Sequence, residues 1–165
     1  MKILYLVRHA KSSWKFPELS DHDRPLNKRG KRDAPDMANR LKSKGVLPDT
    51  LISSTANRAY TTAQNIAKGI GFSAAEIIPN SDLFHAESSE IIEVIQGINN
   101  THESAMIFGH NPGFTTTANR LINLGIDNIP TCGVLVISFA VDSWSEIDSN
   151  KGELVFYDYP KKVIL

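Results

Sequence analysis

LYLVRHAKSSW, residues 4–14, runs through four apolar side chains and then sets Arg8 beside His9. Residues 2–7 scarcely alternate, so they predict a strand covered on both faces, as in a sheet with helices on each side. The remainder of the chain fits that start. Asn27 predicts a helix cap, with Ala34, Met37, Ala38 and Leu41 at helical spacing, a kink at Pro35 and a stop at Gly45. TLIS, residues 50–53, predicts a second strand, followed from about Thr55 by a helix with Ala59, Ala63, Ile66, Ala67 and Ile70 on one face. Ile77 and Ile78 predict a short third strand. Ser88 or Ser89 then caps a helix carrying Ile91, Ile92, Ile95 and Ile98, and AMIF, residues 105–108, predicts a fourth strand. Asn111 as cap and Pro112 as first helical residue predict a helix reaching Gly125. VLVISFAV (134–141) and ELVFYDY (153–159) predict two late strands that pair with each other. The alternation predicts an α/β fold, a three-layer α/β/α sandwich with a mostly parallel central sheet that the last two strands extend.

Composition bounds the rest. A chain of 165 residues is expected to form one domain, 1–165, burying roughly 70% of its unfolded surface. Its 18 basic and 18 acidic side chains cancel, which argues against a general attraction to nucleic acid or anionic membrane. Any anion site must then be a local cluster. The single cysteine, Cys132, excludes an internal disulfide and suits a reducing compartment, so a cytoplasmic location is expected. The first apolar run is too short for a leader core and ends on RHAK, and no segment approaches a membrane span.

In such a sheet, ligands bind beyond the carboxyl ends of the strands. Strand one ends in Arg8-His9, strand two leads into SSTANR with Arg58 in the first helical turn, and strand four ends in Gly109-His110. Two arginines, two histidines and nearby helix N-termini suit a phosphoryl group, because guanidinium forks match its oxygens. One imidazole can attack phosphorus while the other cations hold the equatorial oxygens, with no metal and no cofactor required.

VRHAKSSW with SSTANRAYTTA and GHNPG resembles the histidine phosphatase superfamily, which is phosphoglycerate mutase-like in fold. Within it the sequence is most similar to the SixA-type phosphohistidine phosphatases, which share DRPLNKRG (23–30), GHNPG and PTCG; the likeness spans nearly the whole chain. The resemblance implies His9 as the nucleophile that becomes phosphorylated, Arg8 and Arg58 as phosphate ligands, and His110 as the second histidine at the phosphoryl group. Ser12 aligns with a polar residue that touches phosphate in some relatives. Ala10 stands where the family usually has glycine, which a negative φ would permit. The family's proton donor has no clear counterpart: Asn111 replaces the acid-phosphatase aspartate, and LFHAESSE offers His85, Glu87 or Glu90 where mutase-like relatives carry glutamate.

That gap points to phosphoramidates, since imidazole, with a conjugate-acid pKa of ~6.5, leaves more readily than an alkoxide. The implied partner is a phosphorylated substrate, such as a phosphohistidine-bearing protein. The alternatives are a phosphomonoesterase acting on a small metabolite and a non-catalytic phosphate- or phosphoprotein-binding module. Five histidines raise a metal site as well, but the sequence lacks the helical His pair or Cys-rich spacing of zinc sites. Arg24 reads equally as site residue or charged turn. Lys28, Arg29, His22 and His102 read as solvated, Trp14 as packed at the sheet edge or lining a substrate surface, and Cys132 as a buried apolar residue.

Overall fold

Six strands form one sheet in the order β3-β2-β4-β1-β5-β6, in which β1 (Lys2–Arg8), β2 (Thr50–Ser53), β3 (Ile78–Pro79) and β4 (Ser104–Gly109) run parallel. The remaining two, β5 (Val134–Phe139) and β6 (Gly152–Asp158), are antiparallel to their neighbours. This computed structural model describes residues 1–162, so the last three residues of the expected 1–165 domain lie outside the described residues. No helix among the described residues is long and apolar enough to cross a membrane.

Both faces of the sheet are covered, which explains the unbroken apolar run that opens the chain. Tyr5 and Val7 of β1 point into a core shared with α1 (Lys28–Ser43) and α2 (Asn57–Ile70). Leu4 and Leu6 point into the opposite core, shared with α3 (Ser88–Gln96) and α4 (Gly113–Ile122). Successive side chains of a strand face opposite ways, so a central strand sandwiched between two helical layers needs apolar residues at every position.

The α/β/α sandwich is as expected, and the differences lie at element ends. Asn27 caps α1 by accepting from Gly30 N–H at 2.9 Å, and α1 continues through Pro35, whose exposed position lets water serve the carbonyl that proline leaves unpaired. The cap of α3 is Glu87 rather than Ser88 or Ser89: its N–H donates to Glu90 Oε1 at 3.0 Å, drawing a glutamate back over the first turn. Pro112, not Asn111, is the N-cap of α4, although Asn111 Oδ1 still accepts from Thr115 N–H at 3.2 Å. The helix ends at Ile122 instead of Gly125 because Asn123 turns left-handed (φ 50°), a conformation asparagine tolerates.

DRPLNKRG proves to be scaffold for the segment that follows β1. Ser13 N–H donates to the Pro25 carbonyl (2.8 Å) and Asn27 N–H to the Lys11 carbonyl (2.9 Å), a short antiparallel clasp. Gly30 lies directly against the Lys11 backbone, and a Cβ there would overlap the Lys11 carbonyl oxygen. Backbone does not yield as a flexible side chain does. Gly30→Ala is therefore expected to cost about 1–3 kcal/mol through overpacking. A chemical-denaturation midpoint equal to wild type would show that the clasp moves freely.

Candidate active site

The carboxyl edge of the sheet gathers the basic residues. Strand β1 ends at Arg8, and His9 N–H donates to the Gly109 carbonyl of β4 at 3.1 Å, which fixes His9 beside His110. Their rings lie 5.2 Å apart, centroid to centroid. Arg58 occupies the first turn of α2 and is buried. Residues remote in sequence are adjacent here because the parallel strands all deliver their C-termini to one rim.

Each side chain is oriented by a specific contact. His9 Nδ1 lies 2.7 Å from the Ala10 carbonyl, an acceptor that holds hydrogen on Nδ1 and leaves the Nε2 lone pair free. Ala10 is buried, its N–H donates to Thr62 Oγ1 (2.9 Å), and its φ is not positive, so alanine fits where relatives have glycine. His110 Nε2 meets Ser54 Oγ at 2.8 Å, and Ser54 Oγ also accepts from Ala56 N–H at 3.2 Å. With the Ser54 hydroxyl donating to Nε2, the hydrogen of a neutral His110 stands on Nδ1. Arg8 donates from Nη1 to the Ile129 carbonyl (2.8 Å); Arg58 donates from Nη1 to the Asp21 carbonyl (2.6 Å) and from Nη2 to Asp21 Oδ2 (3.1 Å).

Those contacts leave three buried nitrogens with no partner among the described residues: Arg8 Nε, Arg58 Nε and His110 Nδ1. Buried donors are otherwise almost always bonded. Such a set, beside an imidazole with a free lone pair, offers hydrogen bonds to a tetrahedral oxyanion.

Burial, and then the charges of Arg58, Arg8 and Arg24, push the His9 pKa down to about 4, against the opposing pull of the Ala10 carbonyl. Burial also brings His110 down to about 3, helped by His9, Arg58 and His85 and resisted by Asp21. Both rings are neutral at pH 7. Because the unfolded chain takes up these protons near 6.5, it binds more protons than the folded one as pH falls through 6.5 toward 4. The contribution of the two rings to stability is whole above that window and is lost on acidification through it. Denaturation midpoints are expected to fall between pH 7.5 and 5, and more shallowly in His110→Asn; an unchanged slope in the variant would contradict this.

The other residues singled out from sequence divide. Arg24 is buried at the site's edge, giving hydrogen bonds to Ser12 Oγ (2.8 Å) and Asp21 Oδ1 (2.9 Å), so the Ser12 hydroxyl serves Arg24. His85, exposed and left-handed (φ 55°), stacks on Phe84 at 3.9 Å and sits 3.5 Å from Asp21 Oδ2. With Glu87 it lines a cleft of about 490 Å³ that also contains His110. Glu90 is engaged in the α3 cap. His22 keeps a side chain 40% exposed and meets Thr55 Oγ1 at 2.9 Å. Arg29 pairs with Asp33 at 3.3 Å, and Lys28 is exposed. Cys132 is buried, and burial raises its pKa to about 12. No three metal-ligating side chains cluster among the described residues.

Asp21 and Ser54 carried no role in the sequence reading. Asp21 lies in a polar loop with no periodicity to mark it. Its pKa is held below the usual carboxylate range: partial burial pushes it up, but the Arg24 hydrogen bond and the Arg58 charge outweigh that. Ser54 was legible only as one of two serines at a strand end.

A mostly parallel sheet whose rim joins two histidines to two arginines is the phosphoglycerate mutase-like architecture, with a rim suited to a phosphoryl group. The sequence model of the histidine phosphatase superfamily (branch 1) matches residues 4–84. An uncharacterised chloroplastic protein of Arabidopsis thaliana is 34% identical over 151 residues, 87% of this chain and 69% of its own. Among solved structures, a chain from Agrobacterium tumefaciens assigned as the phosphohistidine phosphatase SixA superposes with a TM-score of 0.81 at 27% identity, covering 96% of this chain and 98% of that one. A SixA assignment from Nakamurella multipartitia gives 0.78 at 23%, covering 98% and 97%, a likeness of fold. The chain belongs to the histidine phosphatase superfamily.

Proposed function

We propose that the protein is a metal-independent phosphohistidine phosphatase working through a phosphorylated His9. In the first step His9 Nε2 forms a bond to phosphorus as the P–N bond to the substrate imidazole breaks, and the departing ring keeps the electron pair and takes up a proton. Arg8 Nε, Arg58 Nε and His110 Nδ1 donate to the equatorial oxygens, where charge collects. Water then attacks phosphorus, restoring His9 and releasing inorganic phosphate. The observation carrying this reading is a neutral, oriented His9 imidazole 5.2 Å from the His110 ring, with buried Arg8 Nε, Arg58 Nε and His110 Nδ1 left unpartnered by the described residues.

The preference for phosphohistidine rests on the leaving-group side. Asn111 is an amide, Glu87 and Glu90 close the α3 capping box, and Asp21 is kept ionised by Arg24 and Arg58, which leaves only the exposed His85, turned toward Asp21, as a candidate to protonate an alkoxide. An imidazole leaving group, with a conjugate-acid pKa of ~6.5, needs little such help. The activity resides in the whole chain acting as one domain, and its single buried cysteine and balanced charge suit the cytoplasm.

Hydrolysis of matched phosphohistidine and phosphoserine peptides tests the reading. A kcat/KM at least ~100-fold higher for phosphohistidine is expected, and faster phosphoserine turnover would transfer the assignment to alkyl phosphates, such as a small metabolite.

A further inference from the structure

Of the nine exposed large apolar side chains among the described residues, three fall within six positions: Trp14 (75% exposed), Phe16 (43%) and Leu19 (38%). They crown the loop between β1 and the turn at Asp21–Asp23. The loop is built rather than slack, since Leu19 N–H closes a turn on the Phe16 carbonyl at 3.0 Å and Lys15 N–H donates to Ser13 Oγ at 3.1 Å. Trp14 is not packed on the sheet edge. Its ring lies 3.5 Å from the guanidinium carbon of Arg24, and Arg24 bonds Asp21, which bonds Arg58. The apolar ridge therefore stands at the rim of the phosphate pocket, with its largest side chain already held in place.

Charge is concentrated beside it. A cavity of about 470 Å³ is lined by Lys15, Asn27, Lys28, Arg29 and Arg32, with no carboxylate in its wall. Residues 11–32 contain seven of the chain's 18 lysines and arginines against three acids. Two of those acids are engaged: Asp21 on Arg24 and Arg58, and Asp23 on His22 at 3.3 Å. Glu18 remains exposed, and Asp33 beneath Arg29 and Arg32 is buried. In a chain of zero net charge this is a local basic surface joined to an apolar ridge.

We infer that this face docks an acidic segment of a protein that carries the phosphohistidine, with an apolar side chain set against Trp14, Phe16 and Leu19 and carboxylates against Lys15 and its basic neighbours. The inference rests on the phosphohistidine reading above. Preordered aromatic anchors lower the ordering cost of binding, and complementary charge raises the rate of encounter. An anionic membrane is less suited, because the balanced charge of the whole chain supplies no long-range attraction to it.

Two phosphohistidine peptides, one flanked by aspartate and leucine and the other by lysine and leucine, serve as probes, with phosphoramidate as the small substrate. A kcat/KM at least ~10-fold higher for the acidic peptide is expected at low salt, shrinking as salt is raised. Lys15→Glu and Phe16→Ala are each expected to diminish the preference while phosphoramidate hydrolysis stays unchanged. Equal rates for the two peptides, with phosphoramidate still hydrolysed, would overturn the docking inference alone. No hydrolysis of any of the three would remove the phosphohistidine reading and the inference with it. Co-sedimentation with phosphatidylserine vesicles that both variants abolish would assign the face to a membrane and overturn the inference.

Discussion

His9→Ala is expected to abolish turnover, with a loss of at least ~10³-fold in kcat, and to leave no phosphate on the protein after acid-free quenching. The reason is chemical as well as positional. Only His9 combines a lone pair left free by the Ala10 carbonyl, a pKa near 4 that keeps it neutral at pH 7, and a place beside three unpartnered donors. Alanine removes the nucleophile but none of the donors. The variant is therefore expected to keep binding orthophosphate while failing to turn over. Retained hydrolysis, or a phosphoryl group trapped on another residue, would refute the two-step scheme.

Arg58→Ala is expected to lower kcat by about 10²–10³-fold, the scale on which a single preorganised donor to a developing oxyanion matters. Lysine should rescue little. The Arg58 fork is occupied by the carbonyl and carboxylate of Asp21, which aims Nε elsewhere; an ammonium cannot satisfy Asp21 and present a second directed N–H in that geometry. A second readout separates this role from a structural one. Because the Arg58 charge helps depress the His9 pKa, its removal is expected to move the acid limb of kcat/KM upward toward 6.5. An unshifted limb with a large loss of activity would mean that Arg58 acts by holding the fold.

Much of this was legible because period and position coincide. Strands β1 and β4 contain continuous apolar runs and β2 a short Leu-Ile pair, and they lead into Arg-His, Gly-His and Ser-Ser respectively, so each strand and its functional terminus were marked in one stretch. Other features depend on contacts that no local pattern records. The Arg24–Asp21–Arg58 link is one, since Asp21 lies 37 residues from Arg58 and opens a turn of only three residues, Asp21–Asp23, too short to leave a periodic pattern. The exposure of Trp14 is another: an aromatic near a strand end reads either as packed or as lining a surface, and the stack on Arg24 that accompanies its exposure has no local signal. Helix starts slipped by one or two residues because neighbouring polar residues compete as caps, and Glu87 prevailed over Ser88 through Glu90.

The placement of β4 between β1 and β2 also governs how the protein comes into being. A nascent polypeptide that has emerged only as far as α2 holds Arg8, His9 and Arg58, and the Ala10–Thr62 hydrogen bond can link them, yet β1 and β2 do not pair with each other. The strand that lies between them, Ser104–Gly109, arrives only after α3 and brings the second histidine directly behind it. Such long-range closure slows folding relative to local pairing. It also ties assembly to competence, because the segment that joins β1 to β2 is the one that delivers His110.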